Sequence, residues 1–256
     1  MQVHLVEVFS SVQGEGPELG LSTLFIRLGE CDLRCRWCDS PHTWQRPSKA
    51  RLERGRGEGL FEEVPSPLEL EAVLAAAERL EPEAHRSLSL TGGEPLLQPA
   101  AVRALAEALR GRGPQILLET HGLHAQALAQ VLPVIDVVSM DWKLASDVRR
   151  RSDPLRGGIR PFHEAHRRFL CVARKAPRVV VKLVLTTASR DEELQEAVRC
   201  IAAVHPRACV VLQPVTPRKA AIPPPAERLL ALERRFSRQL PDVRVIPQTH
   251  PLVGVP

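Results

Sequence analysis

The chain has 256 residues, 44% of them hydrophobic, with Lys+Arg 35 against Asp+Glu 30. That is enough for one large domain with a generous core, and too apolar for a disordered chain. A net charge of +5 permits an anionic substrate without arguing for nucleic acid, and the lack of any Tyr speaks against an RNA-stacking platform.

In chain order, residues 3–9 (VHLVEVF) and 22–28 (STLFIRL) are short apolar runs rich in β-formers and predict two strands. The start lacks the basic and apolar regions of a signal peptide, and no run of about 18 apolar residues marks a membrane span. The expectation is a cytoplasmic protein with reduced thiols and no membrane association. A cysteine-rich stretch, GECDLRCRWCDSPHTW, follows the second strand from Gly29 to Trp44. Residues 45–65 are polar and punctuated by Gly and Pro, and read as an inserted loop. The loop is basic first (Arg46, Lys49, Arg51, Arg54, Arg56), either a solvated face or a docking surface for an acidic partner. Ser66-Pro67-Leu68-Glu69 has the form of a capping box that opens a helix, followed by Leu70, Val73, Leu74 and Ala77 at helical spacing.

Beyond it the pattern alternates. Strands are expected over 87–91, 115–119, 134–140, 179–185, 208–213 and 243–246. Helices are expected over 99–110, 123–132, 160–175, 190–204 and 224–240, with Ser189 and Glu192 as a second capping box. Alternating strands and helices mean parallel βαβ units with right-handed crossovers. Six units are fewer than the eight of a closed barrel, so the fold class is α/β, an incomplete (β/α)6 barrel forming a single domain over residues 1–256. Active sites in such folds lie at the C-terminal ends of the strands. The unusual segments all fall there: the cysteine stretch, TGGEP (Thr91 to Pro95), ETHG (Glu119 to Gly122), SMDWK (Ser139 to Lys143) and LQP (Leu212 to Pro214).

Cys31, Cys35 and Cys38 are spaced C-x3-C-x2-C. An odd number of thiols makes a poor disulfide framework in a reducing compartment. Zinc prefers four closed ligands and paired C-x2-C knuckles, and only His42 offers a fourth. An iron–sulfur cluster on three thiolates leaves one iron without a protein ligand, which is useful only if something else binds it. Cys171, Cys200 and Cys209 stand singly in apolar stretches and read as small buried hydrophobes.

The cysteine motif after one strand and Gly-Gly-Glu-Pro after the next together resemble the radical S-adenosylmethionine (SAM) superfamily. The resemblance implies a [4Fe–4S] cluster on Cys31, Cys35 and Cys38, whose open iron takes the amino and carboxylate groups of SAM. One electron then breaks the S–C5′ bond and yields a 5′-deoxyadenosyl radical, the cofactor doing the hard step and the protein supplying position. Gly92 and Gly93 would let the backbone approach the ligand closely.

A finer resemblance is to the 7-carboxy-7-deazaguanine synthase family (the QueE type). It rests on VFSSVQGEGPELG (Val8 to Gly20), Arg27, CDSPHTW after the last cluster cysteine, and PQTHPLVGVP at the end. It implies ring contraction of 6-carboxy-5,6,7,8-tetrahydropterin to 7-carboxy-7-deazaguanine, with loss of ammonia, in queuosine biosynthesis. Carried over by position, Trp37, Cys38, Asp39, Gly93, Ser139, Asp141, Lys143 and Gln213 would line SAM. Ser139-Met140-Asp141-Trp142-Lys143 departs from the Ser-Pro-Lys of many members. Val12, Gln13, Gly14, Glu15, Arg27, Thr91, His250 and the carboxylate of Pro256 would hold the pterin, Arg27 as a bidentate partner of its carboxylate. Ser40 would offer a hydroxyl to Mg²⁺, which prefers hard oxygen ligands. Residues 247–256 would form a tail that closes the pocket, docked through Leu252, Val253 and Val255. A flavodoxin or ferredoxin-type electron donor and a homodimer complete the expectation. The competing readings are a glycyl-radical activating enzyme, which needs no pterin pocket, and a zinc-binding interaction module.

Overall fold

A computed structural model describes residues 1–154, 158–218 and 221–255. The strands are β1 (Gln2–Val3), β2 (Leu5–Val12), β3 (Ser22–Leu28), β4 (Leu33–Cys35), β5 (Lys49–Glu53), β6 (Phe61–Pro65), β7 (Leu68–Glu69), β8 (Ser87–Gly92), β9 (Gln115–Thr120), β10 (Val137–Asp141), β11 (Val148–Arg150), β12 (Arg178–Leu185), β13 (Cys209–Pro214) and β14 (Val243–Val245). The helices are α1 (Leu70–Glu78), α2 (Pro99–Leu109), α3 (Ala125–Val131), α4 (His163–Ala173), α5 (Asp191–Val204), α6 (Ala226–Phe236) and a terminal turn, α7 (His250–Val253).

Ten strands form one sheet in the order β14-β13-β12-β10-β9-β8-β3-β2-β5-β6. From β3 to β14 the neighbours are parallel, and β2 runs antiparallel to β3. The sheet has two free edges, so the expected incomplete barrel is what forms. Each of β3, β8, β9, β10, β12 and β13 is followed by a helix before the next parallel strand.

Side chains alternate between the faces of a strand, and that alternation builds both the core and the site. Leu88, Leu90, Ile116, Leu118, Val138, Met140, Val181, Leu183, Val210 and Leu212 point to the helices and share the main core with Val73, Leu105, Leu128, Phe169, Val198 and Phe236. The other parity faces the lumen. At its lower end Leu117, Val137, Val180, Cys209 and Val211 form a small apolar cluster. Two residues further along those strands, Glu119, Ser139, Lys182 and Gln213 line a cavity instead. The lumen is therefore sealed by apolar packing below and polar above.

Residues 45–65 are not an inserted loop. β5 and β6 form an antiparallel hairpin that joins the sheet through β2. Ala50 and Leu52 are buried, and the charges between them point outward. Alternation with charged outward positions made the segment look polar throughout. Its cations Arg46, Lys49, Arg51 and Arg56 each pair with a carboxylate (Glu30, Glu63, Glu7 and Glu81), so they form a paired outer face.

Neither expected capping box forms. Ser66 Oγ donates to Leu5 O, and Leu68–Glu69 pairs with Gln2–Val3, so α1 begins at Leu70. Strand pairing with the chain start outcompetes the local cap. Ser189 Oγ donates to the buried Asp147 carboxylate at 3.0 Å, and α5 starts at Asp191 without a side-chain cap. Among the described residues, no helix is long and apolar enough to cross a membrane.

Candidate active site

A cavity of about 370 Å³ opens at the C-terminal ends of the strands, within the size range of small-ligand sites. Every expected site residue lines it except Pro256, which lies outside the described residues. Residues distant in sequence thus converge from β3, β8, β9, β10, β12, β13 and the tail.

The cysteine loop forms one wall. Cys31 is buried and accepts a 3.4 Å hydrogen bond from Leu33 N on its sulfur. Cys35 ends β4, paired with Val148 of β11, and Cys38 N donates to Cys35 O. Leu33, Val148, Phe162, Trp37 and Trp44 pack around them. Burial pushes the Cys31 and Cys35 thiols up to about 12, and burial also raises Cys38. Three free thiols on one loop, one buried and two half-buried, are held protonated by their surroundings, and binding a metal as thiolates would release those protons. That donor set fits a thiolate-held cluster with one open iron. His42, the fourth ligand a zinc site would need, is exposed, and the ligand atoms that lie closest together at this wall are those of Cys31, Asp32 and His121.

The glycine pair is required by the protein itself. A Cβ on Gly92, whose φ is +151°, would lie 2.1 Å from Leu28 O. A Cβ on Gly93 would lie 2.4 Å from Glu30 O and 2.7 Å from Thr43 O. Gly93 N and Glu94 N donate to Leu28 O and Glu30 O, which stitches this turn to the base of the cysteine loop. The glycines lie on the cavity lining as expected, and their nearest neighbours are backbone atoms of Leu28, at the end of β3, and of Glu30 and Thr43 in that loop.

Glu94, fully buried, continues the seam by accepting from Leu96 N, Thr120 Oγ1 and His121 N. His121 Nε2 lies 2.8 Å from Asp32 Oδ1, and His124 Nε2 lies 3.3 Å from Asp32 Oδ2. The ETHG segment thereby clasps the cysteine loop from the β9 side.

On the opposite wall, residues 13–21 cross the lumen from β2. Gln13 Nε2 donates to Glu119 Oε1 at 2.9 Å, Glu15 pairs with Lys182, and Glu18 pairs with Arg178. Phe9 and Phe25 stack with centroids 4.9 Å apart. Arg27 donates through Nε to Glu7 Oε1 at 2.8 Å, and among the described residues its Nη atoms make no hydrogen bond. Its terminal fork is therefore available to a ligand carboxylate. Ser40 Oγ donates to Asp39 Oδ1 at 2.8 Å, placing a hydroxyl and a carboxylate side by side.

Between the walls lie Asp141 and Lys143. Burial alone would raise the Asp141 carboxyl, but Lys143 and Lys182 hold it well below the usual range. Lys143 Nζ is 2.7 Å from Asp141 Oδ2 and lies over the Trp37 ring at 4.4 Å. Burial would lower the Lys143 ammonium, yet Asp141 raises it. Lys143 N donates to Nε2 of the buried His166, whose Nδ1 meets Gly122 O.

The tail closes over this wall by polar contacts. Thr249 N donates to Gly14 O at 2.9 Å, and Gln248 Nε2 donates to Glu15 and to Asp39. The His250 ring fills the space a Cβ on Gly14 would need. Leu252 and Val253 do not dock the tail; they are 78% and 64% exposed, while Val255 lines the cavity.

Sequence reasoning gave no individual role to Glu119 and His121, although it placed their ETHG segment at the rim, nor to Lys182 and Gln248. Lys182 carried a signal: a single charge inside VVVKLVL, where both faces should be apolar. Gln248 stood in the PQTHPLVGVP tail segment, with nothing to single it out from its neighbours.

The chain matches the model of the radical SAM superfamily over residues 26–201. It is 35% identical to the 7-carboxy-7-deazaguanine synthase of Geobacter sulfurreducens, over 98% of this chain and 96% of that protein. It is 36% identical to the 7-carboxy-7-deazaguanine synthase of Methanopyrus kandleri, over 98% and 93%. Among solved structures, QueE from Escherichia coli shares the fold with a TM-score of 0.61 at 24% identity, covering 98% of this chain and 95% of that one.

Proposed function

Because the chain belongs to the radical SAM superfamily and, within it, to the 7-carboxy-7-deazaguanine synthases, we propose that its cavity contracts the ring of 6-carboxy-5,6,7,8-tetrahydropterin to 7-carboxy-7-deazaguanine, with loss of ammonia. The observation that carries this reading is convergence. The three thiols, the glycine turn and the Gln13–Glu15 loop, drawn from far-apart parts of the chain, face one cavity.

Cys31, Cys35 and Cys38 hold the [4Fe–4S] cluster. With SAM bound, that cluster would supply the one-electron reduction that starts the reaction. The chain's own residues bind and orient. Asp141 and Lys143 offer an anion and a cation to the zwitterionic amino-acid end of SAM, with Trp37, Asp39, Gly93, Ser139 and Gln213 around it. Arg27 takes the pterin carboxylate through its Nη atoms. Val12, Gln13, Gly14, Glu15 and Thr91 hold the ring, and His250 covers it with the tail. Ser40 and the neighbouring Asp39 supply hard oxygens that suit Mg²⁺. An external flavodoxin or ferredoxin-type donor, a homodimer and a cytoplasmic location belong to the same reading.

The test is anaerobic incubation of reconstituted protein with SAM, dithionite, Mg²⁺ and the carboxypterin, followed by mass spectrometry. The expected result is 7-carboxy-7-deazaguanine together with ammonia. Cleavage of SAM with no new purine-like product would leave a radical SAM enzyme acting on another substrate.

A further inference from the structure

Lys182 is a buried lysine to which the roles above assign nothing. It stands in the middle of β12, on the lumen face between Val180 and Val184, and its side chain is 6% exposed. Its ammonium pairs with Glu15 of the lumen-crossing loop and lies 3.2 Å from Asp141 Oδ1 of β10. The contacts continue on both sides. Asp141 holds Lys143, and Lys143 lies over Trp37 of the cysteine loop. Glu15 holds Gln248 of the tail, which reaches Asp39 and Thr216. The Lys182 Nζ atom is thus the direct link between Glu15 of the lumen-crossing loop and Asp141 of β10, and the flanking contacts of both reach the cysteine loop, at Asp39 and at Trp37.

Burying an ammonium is costly unless it is paired. Packing alone would be served by Met or Leu at this position, as it is by Val180 and Val184. The position instead holds a cation whose two carboxylate partners belong to different elements, the lumen-crossing loop and β10. Burial would depress this ammonium, and Asp141 and Glu15 keep it well above the ordinary lysine value, so the bridge is charged across the working pH range.

We infer that Lys182 is a positioning residue that couples the two halves of the cavity: by fixing Glu15 on the pterin side and Asp141 on the SAM side at once, it lets each ligand pre-organise the wall that receives the other. This rests on the assignment of Glu15 to the pterin and of Asp141 to SAM made above. A ligand that orders its own wall closes the bridge, and the closed bridge spares the second ligand that ordering cost. Coupling of this kind is reciprocal, which supplies an internal check.

The experiment uses cluster-loaded protein without reductant, so that ligands bind and no turnover occurs. The dissociation constant of SAM is measured with and without saturating 6-carboxytetrahydropterin, and the reverse pair is measured likewise. In the wild-type protein each ligand tightens the other by the same factor, about fivefold or more. In Lys182→Met that factor falls to within about twofold of unity, whatever happens to either affinity alone. Glu15→Gln removes the same ion pair from the loop side and gives the same loss, and combining the two changes adds nothing further. Should Lys182→Met fail to fold, Glu15→Gln decides. A wild-type factor retained in either folded variant overturns the inference, as does a factor of one in the wild-type protein. Neither outcome bears on whether the wild-type protein forms the product, whereas a pterin that does not bind the wild-type protein at all would remove the functional reading itself.

Discussion

At the scale of single residues, the site depends on groups that are unfavourable in isolation. Burial raises all three loop thiols, Cys31 and Cys35 to about 12, and as the cluster ligands Cys31, Cys35 or Cys38 changed to Ala should abolish cluster absorbance and SAM cleavage. Cys171→Ala, Cys200→Ala and Cys209→Ala should retain both; a distal cysteine needed for assembly would refute the three-ligand assignment. Gly92→Ala would drive a methyl into Leu28 O, a backbone atom that cannot swing aside. The expected outcome is a loss of about 1–3 kcal/mol in stability and a reduced iron content, measured by thermal unfolding and iron assay. Ser40→Ala should weaken the Mg²⁺ dependence of the rate at normal cluster content, and unchanged stimulation would take Ser40 out of the metal site. His166 gives a pH prediction. Burial holds it neutral well below the usual 6.5, with Nε2 accepting from Lys143 N and Nδ1 donating to Gly122 O. Its folded-state value is depressed, so its contribution is complete above about pH 6.5 and is lost as the pH falls. The melting temperature should drop between pH 7 and pH 5, and less steeply in His166→Gln. The thiols were legible because three cysteines in one short loop are rare. His166 was not, since its role depends on α4 lying against the β9 and β10 rims.

At the scale of elements, the parallel strands were legible and the hairpin was not. VVVKLVL and its neighbours are apolar on both faces, as strands covered on both sides must be, and their limits fall within a few residues of expectation. In β5 and β6 every second residue faces solvent at the sheet edge, and the segment took on the composition of a loop. What secures that hairpin is Glu53. It is 2% exposed and accepts from Ser10 N and Ser10 Oγ at 2.7 Å and from Gly59 N at 2.9 Å. Glu53→Ala should cost about 1.5–3 kcal/mol, the range for hydrogen bonds to a charged group, with cluster content unchanged. A melting temperature equal to that of the wild-type protein would show that the hairpin is held by packing alone. The capping boxes at Ser66 and Ser189 failed for a related reason: each hydroxyl found a partner remote in sequence, Leu5 O and Asp147, which local pattern cannot reveal.

At the scale of the whole molecule, the open sheet and the rim motifs answer each other. Period-two alternation sends one set of side chains to the helices and the other into the lumen, so residues flagged separately along the chain meet in one cavity. That much followed from counting strands. The polar line through Lys182, Glu15 and Gln248 did not, because it exists only once residues 13–21 cross the lumen and the tail lies down on them. The central claim is that three thiolates hold a cluster whose remaining iron is reserved for SAM. Mössbauer spectroscopy of ⁵⁷Fe-reconstituted protein, recorded with and without SAM, tests it most directly. The account predicts that SAM shifts the signal of one iron and leaves the other sites of the cluster as they were. A spectrum that SAM does not change would contradict it.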